Sequence, residues 1–335
     1  MNDNHEKRSV RRGMETSRRD FLSLGALATA ATSLTGCAGW RVQSASAPVV
    51  DPNLSAFLSD VHVSGRNVKK QPTYQNPLFE KAIDQVLALN PRPKRALIFG
   101  DVALWSGRNA DYEESLPQIK RLKEAGIDVY LTTGNHDHRE PLFRFHPHQL
   151  ERTPVPGRLV SVVDVGTADF ILLDTLQENP EGEGSSNKVD GALDAAQADW
   201  FLAFAEAAKR PFFCGGHHPP QELKVRGKDL LQHLETNQRF CGYIHGHNHR
   251  WDKDWHHFGY SRPRVLRSAC LPSTGWWGDI GFATFRTSAD RATLSLVQND
   301  FFFPRPLAAG AKRPPEWDEI LHENAGAVCT FPYAI

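Results

Sequence analysis

From about Leu54 the chain alternates short apolar runs with amphipathic stretches. Leu54–Leu58, Ala96–Phe99 and Val129–Thr132 are apolar runs of strand length. Between them, Leu78–Leu89 sets Leu78, Ile83, Val86 and Leu87 at helical spacing, and Tyr112–Ala125 reads as a second helix. This β-α-β-α-β order predicts an α/β fold whose first sheet is largely parallel. Val160–Val165 and Phe170–Asp174 flank Gly166-Thr167-Ala168 as a hairpin. Leu193–Ala208 is a helix with Trp200, Phe201 and Phe204 to one side. Phe212–Gly215 and Phe240–Ile244 are short strands around a helix near Leu230–Leu234. After Trp251 the pattern turns strand-rich, with Gly281–Arg286 and Ala292–Val297 as another hairpin. A Pro-rich stretch then leads to a short helix at Trp317–Glu323. No repeat and no second core emerges, so one domain is expected over 51–300, with 301–335 as a C-terminal extension.

The N-terminus follows a different pattern. Residues 1–20 are polar and Arg-rich and end in Ser17-Arg18-Arg19-Asp20-Phe21-Leu22. Residues 21–34 form a mild apolar run, too short to span a bilayer but suited to a signal peptide. The paired arginines resemble a twin-arginine export signal. The run closes on Leu34-Thr35-Gly36-Cys37, which resembles the lipobox of bacterial lipoproteins. On that reading residues 1–36 are the signal and Cys37 is the lipidated first residue of an exported, membrane-anchored, periplasm-facing protein. Residues 37–50 then serve as a linker. The alternatives are an uncleaved anchor, or cleavage after Ala45-Ser46-Ala47, which Pro48 disfavours. Met14 would serve equally as a start, since the signal needs nothing before it.

Composition narrows the function classes. The 335 residues are 40% apolar and 23% charged, enough for a buried core, with a formal net charge of zero. Setting aside six basic and four acidic residues in 1–36 leaves 33 against 35, a net charge of −2. No basic field invites nucleic acid. After Cys37 come Cys214, Cys241, Cys270 and Cys329, irregularly spaced and matching no zinc-finger pattern. Cys214 and Cys241 sit in apolar runs, which favours buried free thiols over a disulfide. Fifteen histidines exceed what packing requires, and their placement is the informative part.

Five predicted strands end on Asp, Asn or His, the place where α/β sheets bind ligands. Ser59-Asp60-Val61-His62 follows the first. In an extended segment, residues two apart face the same way, so Asp60 and His62 can reach one ion. Gly100-Asp101 follows the second strand and Gly134-Asn135-His136-Asp137 the third. The Asn135 oxygen is a neutral metal ligand, and His136 is a candidate acid. Gly216-His217-His218-Pro219-Pro220 and Gly246-His247-Asn248-His249 complete the set, the latter by the same spacing logic. Taken singly, each has a plainer explanation, because a packed or surface histidine is commoner than a ligand. Five strand ends carrying such residues together point to a metal site.

The ordered set D-x-H, G-D, G-N-H-D, H-x-P, G-H-x-H resembles the calcineurin-like metallophosphoesterase superfamily over positions 60–249. Residues 193–201 (LDAAQADWF) are similar to a helix of its small phosphodiesterase-like branch. The resemblance implies a four-layer α/β/β/α sandwich of two mixed β-sheets flanked by helices. It implies that Asp60, His62, Asp101 and His249 hold a first metal ion and Asp101, Asn135, His217 and His247 a second, with Asp101 bridging. It gives His136 the leaving oxygen or the phosphate.

The chemistry agrees with those roles. Two ions roughly 3.5–4 Å apart can share a bridging hydroxide that attacks a phosphate ester in line. Such a site stays net positive, because two carboxylates and a hydroxide do not cancel two divalent ions, so it attracts an anionic ester. The mixed imidazole, carboxylate and amide donors suit Fe, Mn, Zn or Co over Mg or Ca alone. One departure stands out. Many members carry a second Asp three residues after the G-D aspartate to orient the histidine, and Leu104 stands there. The arginine that follows it in protein phosphatases is replaced by Trp105, which argues against phosphoproteins as substrates.

The expected function is therefore hydrolysis of a small phosphate ester, a phosphodiester or nucleotide ahead of a phosphoprotein. The alternative is a catalytically silent, metal-holding envelope lipoprotein. Trp276-Trp277 can stack on a nucleobase or simply pack, and packing is the commoner use. His218, His138 and Arg139 border the motifs.

Overall fold

A computed structural model of the chain describes residues 48–65, 75–224, 230, 233–252, 267–303, 307–308 and 310–333. The paired arginines and Cys37 lie outside the described residues, as do Met14 and the Ala45-Ser46-Ala47 site. The described residues belong to one compact unit, Ala47–Ile335. None of their helices is long and apolar enough to cross a membrane.

The strands are β1 (Val50–Leu58), β2 (Arg92–Phe99), β3 (Asp128–Thr132), β4 (Ser161–Asp164), β5 (Asp169–Leu172), β6 (Phe212–Gly216), β7 (Phe240–His245), β8 (Arg267–Cys270), β9 (Gly278–Thr287), β10 (Arg291–Phe302) and β11 (Val328–Pro332). The helices are α1 (Asn76–Ala88), α2 (Asn109–Glu124), α3 (Arg139–Phe145), α4 (His148–Arg152), α5 (Ala195–Ala207) and α6 (Pro315–Asn324). One sheet runs β11-β10-β9-β1-β2-β3 and the other β4-β5-β6-β7-β8. In the first, β1, β2 and β3 are parallel and β9 to β11 are antiparallel. In the second, β5 to β8 are parallel and β4 is antiparallel. Both sheets are mixed, as expected of the sandwich.

Strand alternation builds the layers. Phe57, Leu97 and Phe99 face the second sheet, while Ala56, Leu58, Ala96 and Ile98 face away. A strand buried on both faces therefore reads as an unbroken apolar run. Between the sheets, Phe57 stacks on Phe285 at 4.7 Å, and Phe213 meets Phe285 at 5.1 Å and Phe331 at 5.5 Å. Each such ring contributes on the order of 2–3 kcal/mol by burial. Outside the first sheet, Ile83 and Val86 of α1 and Ile119 and Leu122 of α2 cover Ile98 and Leu131. Outside the second, Phe201 of α5 covers Ile171, Phe212 and Tyr243. Asp194 starts α5 by accepting from the Gln197 amide at 2.9 Å.

Two features go beyond the sequence reading. Helices α3 and α4 follow the G-N-H-D loop. Strand β11 closes the edge of the first sheet and brings Cys329 and Phe331 into the inter-sheet core, so residues beyond 301 contribute a strand to the domain besides the expected helix. Cys214 and Cys241 are buried free thiols, as the sequence favoured, and so are Cys270 and Cys329.

Candidate metal centre

Loops leaving β1, β2, β3, β6 and β7 converge at one end of the sandwich, and all eight sequence-predicted site residues meet there. Asp60, His62, Asp101 and His249 place ligand atoms within 4.8 Å of one another. His217 Nε2 lies 3.1 Å from Asp101 Oδ2, from Asn135 Oδ1 and from His247 Nδ1. The Asp101 Oδ2 atom is also 3.8 Å from His62 Nε2, so Asp101 stands between the two sets.

The local backbone differs from the extended one assumed for D-x-H and H-x-H. Asp60, His62, Asp101, His247 and His249 have φ between 48° and 71°, the only non-glycine residues with positive φ among the described residues. Strand β1 ends at Leu58 and β7 at His245, so both triplets follow their strands and face the site through left-handed turns. Asp and His tolerate that region better than most residues, but each still costs on the order of 1–3 kcal/mol. Main-chain bonds hold the turns in place: His62 N–H donates to Asp101 O at 2.8 Å and Asp60 N–H to Gly100 O at 3.2 Å. The β2 and β3 loops touch so closely that a Cβ on Gly134 would lie 2.1 Å from Asp101 Oδ1.

Protonation follows from the outer ring nitrogens. His62 Nδ1–H donates to Leu104 O at 3.2 Å, His249 Nδ1–H to Trp277 O at 3.1 Å, and His217 Nδ1–H to Phe99 O at 2.9 Å. His247 Nε2–H donates to Glu222 Oε2 at 3.2 Å. A neutral imidazole has one N–H, so in the neutral form that binds metal all four inner nitrogens carry lone pairs. His62 Nε2 and His249 Nε2 then face each other at 3.0 Å with no proton to share, and Asp60 Oδ1 lies 3.2 Å from His249 Nε2. Lone pairs and carboxylates crowded this way repel unless a cation lies among them. The donor set fits transition-metal ions, with each outer nitrogen fixed as metal-binding histidines require.

Charge tells the same story. Burial and the neighbouring His249 push His62 down to about 3, so it stays neutral. Burial alone would also lower His217, yet Asp101 and Asp60 carry it up to about 9. A proton there answers the same negative potential that a metal ion would. Against the burial penalty, His217 and His136 hold Asp101 well below the carboxylate range, and His249 and His217 do so for Asp60.

His136 is oriented without a carboxylate. Its Nδ1–H donates to the main-chain oxygen of Trp105 at 2.7 Å, which turns Nε2 toward the centre, 3.9 Å from Asp101 Oδ2. Leu104, in place of the expected aspartate, serves through its own carbonyl on His62.

Glu222 was missed from sequence, while Asp137, His218 and Arg139, noted there within or beside the motifs, prove to have particular places around the centre. Glu222, in the turn Pro220–Glu222, holds His247. That hydrogen bond keeps its carboxyl below the usual range. The fourth residue of G-N-H-D, Asp137, is no ligand. It accepts from Val102 N, Ala103 N, Gly134 N and Tyr112 Oη at 2.9–3.2 Å, tying the Asp101 and Asn135 loops together. Burial and the Asp101 charge raise it to about 6. His218 falls within 4.8 Å of His217 and His247, with Nδ1 2.8 Å from Thr175 Oγ1. Arg139 is committed to Asp174 and Glu178 at 2.8 Å and braces the loop from outside.

A family model described as calcineurin-like phosphoesterase matches residues 55–251, more than half the chain. No curated protein matches the chain by sequence. Among solved structures, a dimetal phosphatase from Danio rerio is similar at TM-score 0.57 and 16% identity, covering 74% of this chain and 97% of that one. A purple acid phosphatase from yellow lupin (Lupinus luteus) seeds is similar at TM-score 0.54 and 12% identity, covering 73% and 51%. At such identities the likeness is one of fold.

Proposed function

The chain belongs to the calcineurin-like phosphoesterase family, and from that premise we propose that it is a dinuclear metal-dependent hydrolase of a small phosphate ester. Asp60, His62, Asp101 and His249 would hold one ion and Asp101, Asn135, His217 and His247 the other. When bound, the ions supply Lewis acidity and lower the pKa of a water. The observation that carries the reading is the set of four imidazoles whose outer nitrogens all meet acceptors, leaving four inner lone pairs around Asp60 and Asp101.

The protein's own residues do the rest. Asp101 links the two sets and accepts from His136 N–H at 2.8 Å, so one carboxylate positions both cage and acid. His136, aimed inward by Trp105 O, would act as an imidazolium: protonated on both nitrogens, it gives the Nε2 proton to the leaving oxygen and keeps Nδ1–H on Trp105 O. Trp105 in place of an arginine supports a small ester, phosphodiester or nucleotide, over a phosphoprotein. The Arg18-Arg19 pair and Leu34-Thr35-Gly36-Cys37 support export by the twin-arginine route and anchoring through Cys37.

Hydrolysis of bis-p-nitrophenyl phosphate and p-nitrophenyl phosphate by protein loaded with Mn, Fe or Zn tests the reading. Asp101→Asn should abolish turnover, and the faster substrate separates diesterase from monoesterase. If neither ester is cleaved and the variant matches wild type, the silent metal-holding lipoprotein is the better description.

A further inference from the structure

A line of aromatic rings runs along one side of the centre. Phe303 meets Trp277 at 5.6 Å, and Trp277 meets His249 at 4.3 Å. Trp276 lies 6.3 Å from Trp277 and 5.3 Å from His62. Trp105 meets Trp276 at 4.6 Å and His136 at 5.7 Å. The row thus borders three imidazoles of the site. Its two ends are open to solvent: Trp105 is 49% and Phe303 56% exposed, the only exposed aromatic residues among those described.

We infer that Trp105, Trp276, Trp277 and Phe303 form a wall that receives a flat aromatic group on the leaving side of the phosphate ester. The inference rests on the phosphoester reading of the centre and deepens it to a substrate class. Two arguments carry it. First, His136 protonates the leaving oxygen, and the Trp105 ring abuts His136, so whatever that oxygen carries falls against Trp105 and Trp276. Indole faces and edges accept flat rings in offset or edge-on contact. Second, the bonds that place the ligands also place the wall. Gly275 N–H donates to Asp60 O at 3.1 Å, and Ser273 Oγ–H donates to the same oxygen at 2.9 Å. Trp276 N–H donates to Ser273 Oγ at 3.1 Å, and Trp277 O holds His249. A Cβ on Gly275 would lie 1.5 Å from Val61 O, so glycine alone allows this approach.

Calorimetry on the metal-loaded full chain, with phenylphosphonate and methylphosphonate as probes, isolates the ring. The two carry the same anionic head and contain no ester to cleave. Phenylphosphonate should bind roughly ten-fold more tightly, toward the low end of what stacking on an aromatic side chain contributes. Trp105→Ala should bring the two within about two-fold of each other, while its retained peptide carbonyl still holds His136. Adenosine 5′-monophosphate against ribose 5-phosphate repeats the comparison for a nucleobase and tells a nucleoside ester from a simple aryl ester. Equal binding of the two phosphonates by wild type overturns the wall and leaves the phosphoesterase reading standing. So does a preference that survives in both Trp105→Ala and Phe303→Ala. Failure of either phosphonate to bind at all removes the anion site and the wall with it.

Discussion

A histidine offers a metal one ring nitrogen, and what the other nitrogen meets decides which. Of the four acceptors that make this choice, three are main-chain oxygens, of Phe99, Leu104 and Trp277, and only Glu222 is a side chain. Glu222 is therefore the one that substitution can reach. Glu222→Gln keeps an acceptor for His247 but removes the charge that raises the basicity of the ring. Affinity for one of the two ions should fall roughly 10–100-fold, the usual cost of losing such a partner, with the other little changed. Competition with a chelating dye measures both, and two unaltered affinities would remove Glu222 from the site. All eight residues that meet at this end were singled out in the sequence, because each is of a metal-ligating or acid–base type. The orienting groups were not. Main-chain carbonyls at 104 and 105 carry no residue signature, and nothing in Pro219-Pro220-Gln221-Glu222 points back to His247.

At the scale of elements, strands buried on both faces announced themselves as apolar runs, whereas α3, α4 and β11 did not. Helices α3 and α4 have seven and five residues, separated by His146 and Pro147, too short for a period to show. Strand β11 gains its identity from pairing with β10. The α3–α4 junction also carries an acid-sensitive contact away from the metal centre. His146, buried beside Ser115 of α2 at 3.4 Å, is pushed down to about 3 by burial and by His148 and Lys123. Its folded pKa lies below the unfolded value of about 6.5, so the unfolded chain takes up the proton first. The stability tied to neutral His146 is complete above pH 6.5 and declines as pH falls toward 3, at up to about 1.4 kcal/mol per pH unit. Between pH 7 and 5, His146→Gln should lose about 2 kcal/mol less than wild type in urea unfolding. Equal losses would show that His146 does not titrate as described.

Across the whole molecule, the sandwich brings residues from position 60 to position 249 to one end, and its symmetry of plan explains why the site was readable: every contributing loop leaves a strand at the same edge. The left-handed turns that aim the ligands were not readable, since residue type permits them without requiring them. The proposed tether at Cys37 sets where that open end works. Cys37→Ala should move the protein from the membrane to the soluble fraction of cells that export it, and a wild type already soluble would end the anchoring proposal. Position 105 joins these scales in one residue. Its peptide oxygen, which every amino acid possesses, holds His136, the proposed proton donor, while its side chain lies against the same ring, on the proposed leaving side. On that proposal, replacing the side chain should alter which ester is preferred while the peptide oxygen still holds His136. The two traits would then be free to evolve apart, so that such an enzyme could change its diet one substitution at a time without first losing its chemistry.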